Sequence, residues 1–415
     1  MVRTITREPG VLFVIACIYY LTIKLLPVIN YWSSVYIDIL MILIIACSIF
    51  INNGKKILKF FPPFMLIVFI QLINGLLKAV DFRTIVISFY DALNFIIPII
   101  ISFYLISNSY RKTIKILLIY SIVFMTITSI TTIYGLITYP EASKDMATGM
   151  HGDTQLMVYY SKNIAGFDFI YMIPIVLPLF FPIYKKHKVN WMLLSIALIP
   201  MIYSVYVSQY AIALVSVMIS LSSIIFHRFI SPKFFLTFAV FTILSLVIFK
   251  TYVADLFYFL AVNVNSYELT HRFNALGNSI MGLDVIEDVF VYRLYAYMTS
   301  ISTFLANPIV GGLVSNSVKV GGHSFILDIL ASYGTFGIFA LFFAYRKIMQ
   351  VFYIPFKSLF HYKFMLWSFF LSILLSIFNT SANFFAIGLF VPFVACISQC
   401  ENYFTKLEVD NCVKI

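Results

Sequence analysis

Long apolar runs, separated by short polar segments, dominate this chain. A helix needs about twenty apolar residues to cross the hydrocarbon core of a bilayer. Twelve runs reach or approach that length, so the pattern predicts an all-α polytopic membrane protein with about twelve transmembrane helices. The predicted spans cover roughly residues 11–31, 35–51, 60–77, 85–106, 116–137, 164–184, 191–207, 211–226, 234–253, 324–345, 364–378 and 384–398.

The composition agrees with this pattern and argues against a soluble fold. Hydrophobic residues make up 62% of the chain and charged residues 11%, whereas soluble domains carry about 25% charged residues. A surface this apolar requires lipid as its solvent. No internal repeat, low-complexity tract or soluble domain is evident, so residues 1–415 are predicted to form a single integral membrane domain.

The formal net charge is +11, and most of the 28 lysines and arginines fall in alternate loops. This distribution follows the positive-inside rule and predicts that both termini lie in the cytoplasm. It explains the basic balance better than nucleic-acid binding does, because no basic helix with interleaved aromatic residues stands outside the membrane. Nucleic acid is therefore not an expected partner.

Two loops on the predicted outer side are long, residues 138–163 and 254–322. In the larger one, Asn265-Ser-Tyr-Glu268 resembles a helix-capping box. An amphipathic run from Val289 to Leu305 then stops before Asn307-Pro308, as expected ahead of a proline. We expect short helices lying along the outer membrane surface.

Arg272 and Arg293 are the only arginines in either long outer loop, which runs against the topological bias of basic residues. A pair of guanidinium groups can grip a phosphate or pyrophosphate through bidentate hydrogen bonds. The alternative is that each arginine pairs with an acidic neighbour in the same loop, namely Glu268, Glu287 or Asp288.

His323 lies where the large loop becomes an apolar helix, and Ser324 beside it is a plausible N-cap. Unpaired N–H groups and the helix dipole favour an anion at such an end and disfavour imidazolium. We therefore expect a neutral ring that can accept a proton. The alternative is a histidine that merely lies at the membrane interface. Asp328, five residues later, is off that face of an ideal helix and is a weak candidate for orienting the ring.

Five charged residues lie inside predicted spans, where facing lipid would be costly. They could form a path through the bundle or pair internally to fix helix packing. These residues are Lys24, Asp38, Asp91, Asp168 and Asp328.

The sequence indicates no cofactor. It contains no P-loop, no Gly-x-Gly-x-x-Gly and no Gly-x-Ser-x-Gly, and its five cysteines suggest no metal pair. Asp284, Glu287 and Asp288 suit a helix start better than a cation site. We therefore expect no bound metal.

Two stretches carry a family resemblance: Arg293 through Asn307-Pro308-Ile-Val-Gly-Gly312, and Gly322-His-Ser followed by Gly334-Thr-Phe-Gly337. Together they resemble the O-antigen polymerase and ligase family (Wzy and WaaL proteins). The start of the sixth span, Lys162-Asn163-Ile-Ala-Gly166, is also similar to that family's pattern. A basic residue common at the start of the family's eighth span is missing here, where the chain reads Ser208-Gln-Tyr-Ala.

The resemblance implies a multi-pass enzyme of the bacterial inner membrane. It would polymerise undecaprenyl-diphosphate-linked repeat units into O-antigen or capsular polysaccharide at the periplasmic face, without a metal ion. Membrane lipid and a chain-length regulator protein would be further partners. The catalytic set would be His323, Arg293 and Arg272, and the substrate contacts would be Lys162, Asn163, Lys250 and Ser324.

Other functions remain open. The chain could be the ligase that transfers glycan to lipid A-core, a polysaccharide flippase or other transporter, or a non-catalytic partner in an assembly complex.

Overall fold

The computed structural model describes residues 8–78, 82–148, 153–187, 191–226, 249–264, 289–314, 320–354, 362–378 and 384–397, with a few single positions between 237 and 281. Within those residues the chain is helical and contains no strand. Helices α1 to α8 are Val11–Leu25, Pro27–Trp32, Val35–Phe60, Pro62–Lys78, Phe82–Ser107, Arg111–Thr138, Ala142–Thr148 and Asp153–Ser161. Helices α9 to α16 are Phe167–His187, Trp191–Ser208, Ala211–Ile225, Lys250–Asn263, Val289–Ala306, Phe325–Ile348, Tyr362–Phe378 and Val391–Ile397.

Five described helices are long and apolar enough to cross a bilayer: Val35–Asn52, Ile85–Ser107, Arg111–Thr138, Phe167–Tyr184 and Phe325–Tyr353. Six shorter apolar helices overlap other predicted spans. Most of the predicted span 234–253 lies outside the described residues. The helical fold is thus confirmed, while the count of twelve spans and the orientation of the termini stay predictions.

Helix α9 lies at the centre of the bundle, with 72% of its apolar window buried. It packs against α10, α11 and α15. The face of α15 carries three fully buried serines at four-residue spacing, Ser368, Ser372 and Ser376. Small residues allow close helix approach in a membrane. The hydroxyls of Ser368 and Ser376 donate within their own helix, to the carbonyls of Phe364 at 3.1 Å and Ser372 at 2.7 Å.

The helices differ from the sequence prediction in three places. The first span breaks at Leu26, whose φ of −114° and ψ of 102° are extended, because Pro27 disfavours a helical residue before it. The outer loop 138–163 contains the short helices α7 and α8. The large loop was expected to begin at Ala254, but α12 continues to Asn263, since hydropathy marks the membrane boundary and not the end of a helix.

Helix packing and an N-cap define the region where α14 begins. Helix α14 contacts both α4 and α13, and α4 packs against α5. Ser324 caps α14, accepting a hydrogen bond from the Leu327 N–H at 3.2 Å, as the sequence predicted. Helix α13 ends at Ala306, one residue before Asn307-Pro308, which confirms the predicted helix and its stop signal. The His323 segment therefore lies between the ends of two packed helices.

Candidate functional site at the start of helix α14

Helix α13 carries Arg293, Tyr297 and Ser300 at spacings of four and three residues, which place them on one face. Two of them reach the start of α14, with which α13 packs. The Ser300 hydroxyl contacts Asp328, and the charge of Arg293 acts on His323. The site is thus assembled from one helix face and one helix start.

A hydrogen-bonded clamp holds the segment that carries His323. The Ser300 hydroxyl donates to Asp328 Oδ1 at 2.7 Å and accepts from the Gly321 N–H at 2.9 Å. The same Asp328 oxygen accepts from the Gly322 N–H at 3.3 Å. The carboxylate thereby fixes the two residues before His323 and lies close enough to act on the charge of the ring.

Ideal-helix spacing predicted that Asp328 lies away from His323, but its carboxylate contacts the preceding residue, Gly322. The spacing does not apply because His323 precedes the N-cap Ser324, whose φ of −145° and ψ of 114° are extended. Gly322 has a φ of +73°, which turns the chain back toward the first turn of α14. Gly321 also has no room for a side chain, because an added Cβ would overlap the Ala296 carbonyl.

His323 is half-buried. Burial lowers the pKa of its imidazole below the ordinary value, the nearby Arg293 guanidinium lowers it further, and Asp328 partly opposes both. The ring is therefore neutral near neutral pH and able to accept a proton. This agrees with the state expected from sequence, although the largest cause is burial and not the helix dipole.

Arg293 is half-buried, and its Nε is buried without a hydrogen-bond partner among the described groups. A buried guanidinium N–H without an acceptor is costly, because charged donors lose strong hydrogen bonds with water. Such a donor suits an anionic acceptor supplied from outside the chain. On α13, burial raises the pKa of Tyr297 and Arg293 lowers it, so the guanidinium also acts on that ring.

The Asn-Pro motif that follows α13 locks into a break in α14. The backbone N–H groups of Thr335 and Phe336 donate to the carbonyls of Pro308 and Ile309 at 2.9 and 3.4 Å. These donors are free to do so because Gly334 interrupts the helix, with φ of 61° and ψ of −152°. The turn is tied to α14 through backbone groups, which fixes α13, and so Arg293, relative to His323.

Gly311 completes this junction. Its φ is +57°, and an added Cβ would lie 2.5 Å from the Gly334 nitrogen and 2.6 Å from the Ala331 carbonyl oxygen. Gly311 and Gly334, one glycine from each family-like motif, are therefore required by a close backbone approach. Sequence inspection had singled out both motifs without finding that they contact each other.

The predicted substrate contacts lie in different places. Lys162 is exposed at the end of α8, whereas Asn163 is buried and adopts a φ of +56°. The Asn163 side chain accepts from the Val28 N–H at 3.2 Å and donates to the Thr131 hydroxyl at 2.9 Å. It joins α2 and α6, so its amide is already engaged in holding the fold.

Other predicted residues fall beyond what the structure describes. Arg272, the Asn265–Glu268 segment and the acids Asp284, Glu287 and Asp288 lie outside the described residues, as does the side chain of Lys250. Of the predicted set, the structure brings Arg293, His323 and Ser324 together. Ser300 was missed, although its spacing from Arg293 on a predicted amphipathic helix was a usable signal.

Comparison of the chain with protein-family models, with characterised proteins and with solved structures finds no match.

Proposed function

We propose that this chain is a membrane glycan polymerase, which joins repeat units carried on undecaprenyl diphosphate. The observation that carries the proposal is the shared site of Arg293 and His323. A cationic side chain with a buried, unsatisfied N–H lies within electrostatic range of a neutral imidazole. The guanidinium suits stabilisation of a diphosphate leaving group, and the imidazole suits removal of a proton from a hydroxyl nucleophile.

In this mechanism, His323 accepts the proton from a sugar hydroxyl of the acceptor unit. The hydroxyl oxygen attacks the anomeric carbon of the donor glycan, and the bond between that carbon and the diphosphate oxygen breaks. The electron pair leaves with the diphosphate, whose charge Arg293 stabilises, with Arg272 as the proposed second cation. A single displacement inverts the anomeric centre. No metal ion is needed for charge neutralisation in this scheme.

Asp328 complements the base. The imidazolium formed on proton transfer is stabilised by a nearby carboxylate, as a buried acid does for the histidine of hydrolytic triads. The clamp through Ser300 and the Gly322 N–H keeps that carboxylate in place. The proposed orientation places this site on the outer side of the membrane and both termini in the cytoplasm, as the loop charges predict. That the membrane is a bacterial inner membrane is what the family resemblance implies.

The experiment is glycan analysis of a deletion strain complemented with His323→Ala. We expect long-chain glycan to disappear while single-repeat glycan persists and the protein accumulates normally in the membrane. His187→Ala, at the end of α9, is the matched control and should leave the ladder intact. A normal ladder from His323→Ala would remove the proposed catalytic role.

The same assay separates the alternatives. If the chain is a ligase of the same family, the His323→Ala strain should lose all surface glycan, including the single-repeat form. If the chain is a transporter, that strain should accumulate lipid-linked repeat units on the cytoplasmic side of the membrane. The proposed site uses the same groups in a polymerase and a ligase, so the distribution of products decides between them.

A further inference from the structure

A small cavity lies between α4, α5 and α14. Gln71 of α4, Phe95 of α5 and Tyr333 of α14 contribute to its walls. The recess contains about 310 Å³ of space not occupied by protein atoms, but only about 20 Å³ of it can hold the centre of a water-sized group. One water needs about 10–15 Å³ of such space. The cavity therefore accepts one or two small groups, and a sugar ring or a lipid chain is too large for it.

The Gln71 side chain is the polar group of this cavity that lacks a partner. Its Oε1 is buried and has no hydrogen-bond partner among the described groups. The other residues of α4 that line the cavity, Ile67 and Ile70, are apolar and offer it no donor. A buried carbonyl oxygen without a donor is costly, and proteins usually satisfy such atoms with a further group or with ordered water. The amide therefore indicates a hydrogen-bond donor inside the cavity.

Tyr333 supplies the complementary group from α14. Its hydroxyl accepts a hydrogen bond from the Asn74 side-chain amide at 3.4 Å. A phenolic hydroxyl both accepts and donates, so the Tyr333 proton can still be donated to a group in the cavity. Among the described lining residues, Gln71 and Tyr333 alone carry polar side-chain atoms. The cavity thus offers one acceptor on α4 and one donor on α14, within otherwise apolar walls.

We infer that this cavity is a water-binding site, in which one or two water molecules join Gln71 to Tyr333. A water molecule donates to Gln71 Oε1 and accepts from the Tyr333 hydroxyl, so it satisfies both groups at once. An apolar ligand would leave the amide unsatisfied, and a larger polar molecule exceeds the space. The inference concerns the packing of three helices and does not depend on the proposed function.

The water site ties α4 to the residue directly before the break in α14. Gly334 follows Tyr333 and interrupts the helix, and the N–H groups of Thr335 and Phe336 bond to the turn that follows α13. The break is therefore held from α13 by main-chain bonds and from α4 by a water-mediated bond. Water-mediated hydrogen bonds are nearly as favourable in enthalpy as direct ones. This bond adds a polar link where apolar contacts give little specificity between helices.

The test is a double-mutant cycle on thermal unfolding of the full-length protein in lipid nanodiscs. Gln71→Met removes the amide with little change in volume, and Tyr333→Phe removes the hydroxyl. Each should lower the unfolding midpoint by about 2 °C or more, as expected for loss of a buried hydrogen-bonded group. The double variant should lose clearly less than the sum of the two, because both changes disrupt the same water.

The control pairs Gln71→Met with Tyr297→Phe. That substitution also removes a tyrosine hydroxyl, but one that donates to the Phe378 carbonyl at 3.2 Å and does not line the cavity. The effects of these two changes should add. If the amide were dry, Gln71→Met would leave the midpoint unchanged or raise it, because an unsatisfied buried group would be removed. That result, or additivity between Gln71→Met and Tyr333→Phe, would overturn the water site.

An experimental density map of the wild-type protein gives a check that needs no variant. We expect a solvent peak within about 3.2 Å of both the Gln71 amide and the Tyr333 hydroxyl. A map that resolves ordered water elsewhere in the bundle but shows this cavity empty would contradict the inference. Density for a molecule larger than water at this position would contradict it as well.

Discussion

The junction between the Asn-Pro turn and the break in α14 gives the sharpest structural prediction, through the substitution Gly334→Ala. Gly334 has a φ of 61° and a ψ of −152°, a region that only glycine occupies without strain. A Cβ there would overlap the Ile309 carbonyl and lie 2.7 Å from the Gly311 nitrogen. Both neighbours are backbone, so no side chain can rotate away.

The expected cost has two parts. Backbone strain in this region amounts to about 1–3 kcal/mol. Moving the turn away also weakens the bonds from Thr335 and Phe336 to the carbonyls of Pro308 and Ile309, at about 0.5–1.5 kcal/mol each. The sum, about 2–6 kcal/mol, is a large part of a typical folding free energy of about 5–15 kcal/mol.

The assay is the midpoint of thermal unfolding of the purified protein in detergent, with Gly166→Ala as the control. At Gly166 an added Cβ meets nothing within 4 Å and φ is not in the left-handed region. We expect a clearly lowered midpoint for Gly334→Ala and a near-native one for Gly166→Ala. Equal midpoints would refute the idea that the glycine is required by a backbone-to-backbone junction.

Three further predictions concern the His323 site. Arg293→Lys should retain charge but lose most polymerising activity in a glycan-ladder assay, because an ammonium cannot form the bidentate contact of a guanidinium; wild-type ladders from this variant would argue against a diphosphate contact. The pH–rate profile of purified enzyme should lose activity on the acid side as His323 becomes protonated, at a pH below the ordinary histidine pKa. Arg293→Gln should move the acid limb of this profile to higher pH, because Arg293 lowers the pKa of His323. Asp328→Asn should move it to lower pH, because Asp328 raises that pKa. Shifts in the opposite directions would contradict the assigned electrostatics. Ser300→Ala should destabilise the protein by about 1–3 kcal/mol through loss of the clamp, detectable as a lowered unfolding midpoint, whereas Ser302→Ala, an exposed hydroxyl bonded to its own helix, should not.

The sequence was sufficient where a local rule applied. Apolar run length located the long helices, the Asn307-Pro308 pair ended α13, and Ser324 capped α14. Each of these features depends on residues within a few positions of one another. The break at Leu26 was also visible in principle, because a proline constrains the residue before it.

What the sequence could not supply were contacts between distant segments and the exact course of a turn. Gly311 and Gly334 each looked like a motif glycine, but nothing local indicated that they meet. Helical spacing predicted that Asp328 lies off the face of His323, but that spacing does not hold across the N-cap Ser324, whose φ of −145° and ψ of 114° are extended. Burial of the Arg293 Nε depends on the packing of α13 against α14 and has no sequence signal.

The attachment of α13 to α14 explains how the positions of Arg293 and His323 are fixed relative to each other in a membrane. Apolar side chains give little specificity between helices in lipid, because lipid tails are equally apolar. Here the helix that carries Arg293 is joined to the helix that follows His323 by backbone hydrogen bonds at the Gly334 break and by the Asp328 clamp at its start. These two polar attachments, at Asp328 and at Thr335 on α14, restrict both sliding and rotation of α13. The separation of guanidinium and imidazole is then set by main-chain geometry, which apolar substitutions on the lipid-facing surface would leave unchanged.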